Sequence, residues 1–261
     1  MNALRLQWIF VRIAVLNELQ YRANFYIALF RSLLGLGTGL AALAVVFSHT
    51  TTLGGWRPEE LLALLGIYLM VGGIINVVIR PSMQRLMEDV RQGTLDFALT
   101  KPEDAQLLVS VRQVEVWKLI DFTLGAGVLL IALFRLGDSI GVGQAVAFGL
   151  ALLAGTVIVY SFWLILATCS FWVVRVENIL VIFQSMYEAG RWPVTIYPRW
   201  LQVALTFIVP VAFATSVPAQ ALAGRLSWSN LAFALVLAAA LLVGSRLFWT
   251  YGIRHYSGAS A

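Results

Sequence analysis

Lysine occurs only twice in this 261-residue chain, as Lys101 and Lys118. Neither follows a Gly-x-x-x-x-Gly loop, so the chain lacks the backbone cradle for nucleotide phosphates and cannot hydrolyse ATP by that route. Cysteine occurs once, at Cys169, which excludes an intrachain disulfide and a thiolate metal cluster. His49 and His255 are the two histidines; they are expected on opposite faces of the membrane, so no histidine metal site or catalytic triad is expected. Charged residues make up 12% of the chain, about half the share of an ordinary soluble domain. The expectation is a non-catalytic protein that binds no cofactor or metal of its own and has no nucleic-acid partner.

In place of charge there is apolar length. Hydrophobic residues make up 60% of the chain and its mean hydropathy is +0.85, the composition of an integral membrane protein. At roughly 20 residues per crossing, the chain accommodates an all-α fold of six transmembrane helices and no separate soluble domain. The apolar runs place the spans at about 25–47, 60–79, 113–136, 144–173, 177–192 and 229–250. Residues 198–222 contain Pro210 and Pro218. Prolines break helices, and broken helices at membrane depth survive where protein or a watery cavity covers the backbone, so this segment reads as a re-entrant outer hairpin. Gly35 and Gly39 form a small-xxx-small pair suited to close helix contact.

Arg5, Arg12, Glu18 and Arg22 interrupt any signal-peptide core in residues 1–22. Leu6, Ile9, Phe10, Ile13, Leu16 and Leu19 recur at helical spacing, which predicts an amphipathic interface helix on the membrane surface. With the N-terminus, residues 80–118, Arg175 and the C-terminus on one side, that side holds twelve of the eighteen basic residues. The positive-inside rule then makes it cytoplasmic, with both termini inside a cell membrane crossed several times. Trp56, Trp192, Trp200 and Trp228 fall at the outer boundary as an aromatic belt.

The polar exception is residues 80–104, RPSMQRLMEDVRQGTLDFALTKPED. Met83, Leu86, Met87 and Val90 follow the i, i+3, i+4, i+7 pattern of an amphipathic helix. Gly93 stands where a left-handed stop is needed, and Leu95, Phe97 and Leu99 then form an apolar knuckle that needs cover from lipid or a partner. Thr100 and Glu103 bracket Lys101 and Pro102 as a capping box for another helix. Farther on, Arg112, Glu115, Lys118 and Asp121 alternate in sign at i, i+3 steps, the pattern of a self-paired ladder.

The string GTLDFALTKP, through Gly93, Leu95, Asp96, Leu99, Lys101 and Pro102, resembles the G-x-L-D-x-x-L-x-K-P segment between the second and third spans of ABC-2 type transporter permeases. RWPVTIYP and FIVPVAFATSVPA, through Pro193, Tyr197, Pro198, Pro210, Phe213 and Pro218, are similar to that family's outer hairpin. The chain departs from many of its members in carrying Ile208, Val209 and Pro210 where they have Asn-Pro-Leu.

The resemblance implies a permease subunit of an ATP-binding cassette exporter for a hydrophobic or amphiphilic substrate. It implies a separate cytoplasmic ATPase that binds ATP and Mg²⁺, with Met83 to Pro102 as the coupling region docked on it. It also implies a second permease chain, identical or a sibling, and membrane lipid as the remaining partner. Asp121, Tyr187, Glu188 and Trp192 are the candidate substrate pathway, since ionisable groups at membrane depth are functional by default. Glu188 beside Tyr187 and Trp192 suits an amphiphilic cation. The alternative function is an ion- or proton-coupled secondary transporter or channel, which calls for pathway acids and an internal repeat.

Overall fold

The computed structural model describes residues 22–137, 141–173 and 177–256. The interface helix expected over residues 1–22 lies outside them but for Arg22. Among the described residues all regular structure is helical, apart from an isolated bridge between Leu53 and Trp56. Helix α1 is Arg22–His49 and α2 is Pro58–Ile74. A five-residue π turn, Ile75–Ile79, leads without a break into α3, Arg80–Gln92. The short helices α4 (Asp96–Leu99) and α5 (Ala105–Ser110) precede α6, Leu119–Leu136. Then come α7 (Val142–Thr168) and α8 (Glu177–Glu188). The outer segment contains α9 (Arg199–Val203), α10 (Val211–Ala214) and α11 (Ser216–Leu222), and α12 is Trp228–Arg254.

Among the described residues five helical stretches are long and apolar enough to cross a membrane: Phe25–His49, Pro58–Gln92, Val116–Leu136, Val142–Phe171 and Trp228–Arg254. A bent pair, Arg199–Ile208 and Val211–Leu222, raises the number to six when it is counted as one span. Its halves meet at 75°. The bend sits at Val209, which is extended because the ring of Pro210 disfavours helix in the residue before it. Helix α8 and the 3₁₀ turn Ala189–Arg191 together rise about 24 Å, less than the ~30 Å hydrocarbon layer.

The second span is longer than its apolar run. Pro58–Gln92 is one helical rod of 35 residues, about 52 Å long, so roughly 20 Å of it stands beyond the hydrocarbon layer. The π turn explains how the rod passes Pro81. A proline cannot donate to the carbonyl four residues earlier, and that carbonyl, on Val77, accepts instead from the N–H of Glu115 at 2.9 Å. The hydroxyl of Ser82 donates to the Gln113 carbonyl at 2.9 Å. Residues 111–115 are thereby stitched to the rod and do not extend α6, which begins at Leu119, where the apolar run becomes continuous, and not at 113.

Helices α2 and α6 approach most closely where side chains are missing. A Cβ on Gly66 would lie 2.7 Å from the Leu129 nitrogen, and one on Gly125 would lie 2.5 Å from the Met70 nitrogen. Gly73, one heptad from Gly66, meets the Phe122 backbone in the same way. Gly35, by contrast, faces open space. The main core gathers Trp163, Phe183 and Trp249, all essentially without solvent contact. Trp56 belongs to this core as well. Its Nε1 donates to the Thr195 hydroxyl at 3.1 Å and the Arg225 guanidinium stands 5.1 Å above its ring, so it is a structural clamp and not part of an aromatic belt. Trp200 and Trp228 are exposed. Buried Glu60 completes the clamp by accepting from Arg57 at 3.2 Å and Arg225 at 2.6 Å.

Candidate functional site

Two regions concentrate polar chemistry. The first is the connector after α2. Met83, Leu86 and Met87 are buried and Val90 is half-buried, because the apolar stripe of α3 turns inward onto the bundle. What α3 shows to solvent is Gln84, Arg85, Arg91 and Gln92. Gly93 ends the helix at φ +70°, a left-handed conformation that costs glycine no Cβ clash.

Asp89 organises the turn that follows. It has no solvent exposure, and its carboxylate accepts from Arg85 at 3.0 Å, from Thr94 at 3.0 Å and from Arg112. Its carbonyl accepts from the N–H groups of Thr94 at 2.8 Å and Leu95 at 3.3 Å. Arg112 therefore pairs across the turn and is not the first rung of a ladder along residues 112–121. Asp121 is engaged elsewhere, by the hydroxyl of Ser32.

The knuckle is only partly exposed. Leu95 is fully buried, Leu99 is half-buried against the core, and Asp96 is half-exposed. Phe97 alone of the three apolar side chains faces out, with 71% of its surface accessible. Lys101 and Pro102 lie beside it at the surface. The next helix is capped by Asp104, whose carboxylate accepts from the Leu107 N–H at 3.1 Å, and not by the Thr100 and Glu103 pair.

Asp104 also receives both arms of the Arg246 guanidinium from α12, one of them at 2.9 Å. That hydrogen-bonded cation holds the Asp104 carboxyl below the usual carboxylate range. Arg246 also donates to Gln106 at 3.0 Å. Gln106 in turn donates to Tyr160 on α7 at 3.3 Å. The connector is thus tied to two spanning helices by polar contacts.

The second region is a cleft of about 170 Å³ among α1, α2, the start of α6 and α8. Its charged lining residues are Arg31, Lys118, Asp121 and Arg191. Tyr68 and Tyr187 stack at 5.0 Å, and the Tyr187 hydroxyl donates to the Tyr68 carbonyl at 2.8 Å. The Arg191 guanidinium stands 5.4 Å from the centre of the Tyr68 ring. Among the described residues Arg191 Nε and Asn76 Oδ1 are buried without a hydrogen-bond partner.

Of the pathway residues expected from sequence, Asp121 and Tyr187 line this cleft. Glu188 is exposed beside it, and Trp192 is half-buried against the core. Sequence reasoning missed Ser32, Tyr68, Asn76 and Gln184, and gave Arg31, Lys118 and Arg191 no part in a shared site. Asn76 carried a usable signal, as an amide inside the apolar second span.

A sequence model of the ABC-2 family transporter proteins matches residues 33–260. No curated protein and no solved structure matches the chain significantly.

Proposed function

This chain belongs to the ABC-2 transporter family, as a multi-pass membrane permease of an ABC transporter, and from that premise we propose that it works in export. In this reading the energy comes from ATP hydrolysed with Mg²⁺ on a separate cytoplasmic ATPase. The chain acts with a second permease chain, identical or a sibling, and moves a hydrophobic or amphiphilic substrate out across the cell membrane. Both termini and the 80–104 connector face the cytoplasm, in keeping with the placement of the basic residues.

The observation that carries the coupling role is Phe97. Its neighbours Leu95, Ala98 and Leu99 all turn toward the core, whereas Phe97 is held outward on a turn fixed by Asp89. A large ring on a water-facing turn suits insertion into a pocket on a partner, where aromatic anchors contribute most of the binding free energy. The test is Phe97→Asp, purified in mild detergent from its native membrane with the ATPase that accompanies the wild-type chain. An anchor of this kind predicts at least a roughly tenfold loss of ATPase recovery with an unchanged unfolding temperature. Undiminished recovery refutes the docking site.

A further inference from the structure

The cleft carries more positive charge than it neutralises. Arg31, Lys118 and Arg191 line it against one lining carboxylate among the described residues, Asp121, which accepts from the Ser32 hydroxyl and balances one of the three charges. Among the described residues none of the three cations lies within ion-pair distance of a carboxylate. Glu188, the nearest further acid of α8, is exposed and outside the lining. Uncompensated cations in a membrane protein are costly unless water or an anion meets them.

Arg191 is the most telling of the three. Its guanidinium lies over Tyr68, so the face of that ring is already occupied by a cation of the protein. Its Nε is buried with no acceptor among the described residues. A guanidinium edge offers donors in a fork that fits two oxygens of a phosphate, and an ammonium such as Lys118 adds a point charge. The volume, about 170 Å³, suits a small polar head and not a hydrocarbon chain. Next to it, α1 leaves Tyr26, Ile27, Phe30 and Leu34 exposed, an apolar flank along which a chain can lie.

We propose that this cleft binds the phosphate head of an amphiphile, with Arg191, Lys118 and Arg31 as its counter-charges and the hydrocarbon chain against the outer face of α1. This reverses the sign of the head expected from Glu188. The assignment deepens the permease reading and rests on it for the role of the amphiphile as cargo. Binding itself does not require the ATPase.

The full-length chain, purified alone, is titrated with dodecyl phosphate, dodecyltrimethylammonium and inorganic phosphate. Dodecyl phosphate is expected to bind at least tenfold tighter than either of the others. Arg191→Gln and Lys118→Gln each weaken it roughly tenfold, the loss of one charge-assisted hydrogen bond, whereas Arg135→Gln, which is outside the cleft, leaves it unchanged. Should Arg191→Gln fail to fold, Lys118→Gln and the wild-type preference still decide the matter.

Equal or tighter binding of the trimethylammonium compound overturns the proposal, as does inorganic phosphate binding equally well or indifference to both substitutions. Two further arms identify the source of the head. Phosphatidate that co-purifies with wild type and is lost in Lys118→Gln marks a resident lipid, and dodecyl phosphate that raises the ATPase rate of the whole complex marks a cargo. Failure of the binding preference leaves the Phe97 experiment standing, and failure of that experiment leaves the binding preference standing.

Discussion

Asp89 is a buried carboxylate whose removal would strand two arginines and the Thr94 hydroxyl, while the carbonyl of residue 89 keeps its bonds to the Thr94 and Leu95 N–H groups. Because Arg85 keeps 42% and Arg112 keeps 28% of its side chain exposed, solvent screens both pairs, and the loss falls below that of a fully buried ion pair. The damage is also local, since spanning helices hold the rest of the bundle. Asp89→Ala is therefore expected to loosen the connector by about 1–3 kcal/mol without a matching change in global unfolding. Limited trypsin digestion in detergent reads this directly, because Arg85 and Arg91 are exposed in the same stretch. Cleavage there accelerates about tenfold or more if the connector opens independently of the bundle, and an unaltered rate removes Asp89 as its organiser.

Among elements, the seam between α2 and α6 shows what hydropathy leaves unsaid. Gly66, Gly73 and Gly125 let two helical backbones touch, whereas Gly127, two residues along α6, has nothing within 4 Å. Gly125→Ala must push the helices apart and is expected to cost about 1–3 kcal/mol. Gly127→Ala gains helix propensity in open space and is expected to be neutral or stabilising by up to about 1 kcal/mol. Thermal unfolding of the two variants in one detergent separates a packing effect from a general intolerance of change, and equal shifts contradict the seam.

The sequence disclosed the long apolar runs, the amphipathic stripe of α3 and the stop at Gly93, because each depends on neighbours along the chain. It did not disclose which glycines meet another backbone, that Asp104 rather than Thr100 caps α5, or that Val77 borrows its donor from Glu115. The Asp104 cap is local, three residues from Leu107, and was hidden by the competing Thr100 and Glu103 pattern, whereas the glycine and Val77 contacts join residues far apart in sequence, and composition carries no trace of the pairing. The cleft was half legible for the same reason. Asp121 and Tyr187 could be found as polar groups in apolar surroundings, but its net charge emerges only when Arg31, Lys118 and Arg191 arrive from three separate elements.

For the molecule as a whole, the scarcity of lysine provides a topological test. Lys101 is exposed on the connector, so a membrane-impermeant amine reagent should modify it in inverted vesicles and leave it untouched in right-side-out cells. Labelling of Lys101 from outside the cell contradicts the orientation drawn from basic-residue placement. The same rod that leads to the connector also carries Tyr68 and Asn76 on the wall of the cleft, so the two sites share one rigid element and not merely one chain.

That shared rod has a mechanical meaning. Its π turn divides it into arms of 17 and 13 residues, and the bond from the Glu115 N–H to the Val77 carbonyl anchors the rod at that point. If the rod rocks about that point, a displacement of about 3 Å at the connector end becomes about 4 Å of opposite movement at the far end of α2. The arms give slightly more travel than they receive, and the glycine seam sets which way the longer one can swing.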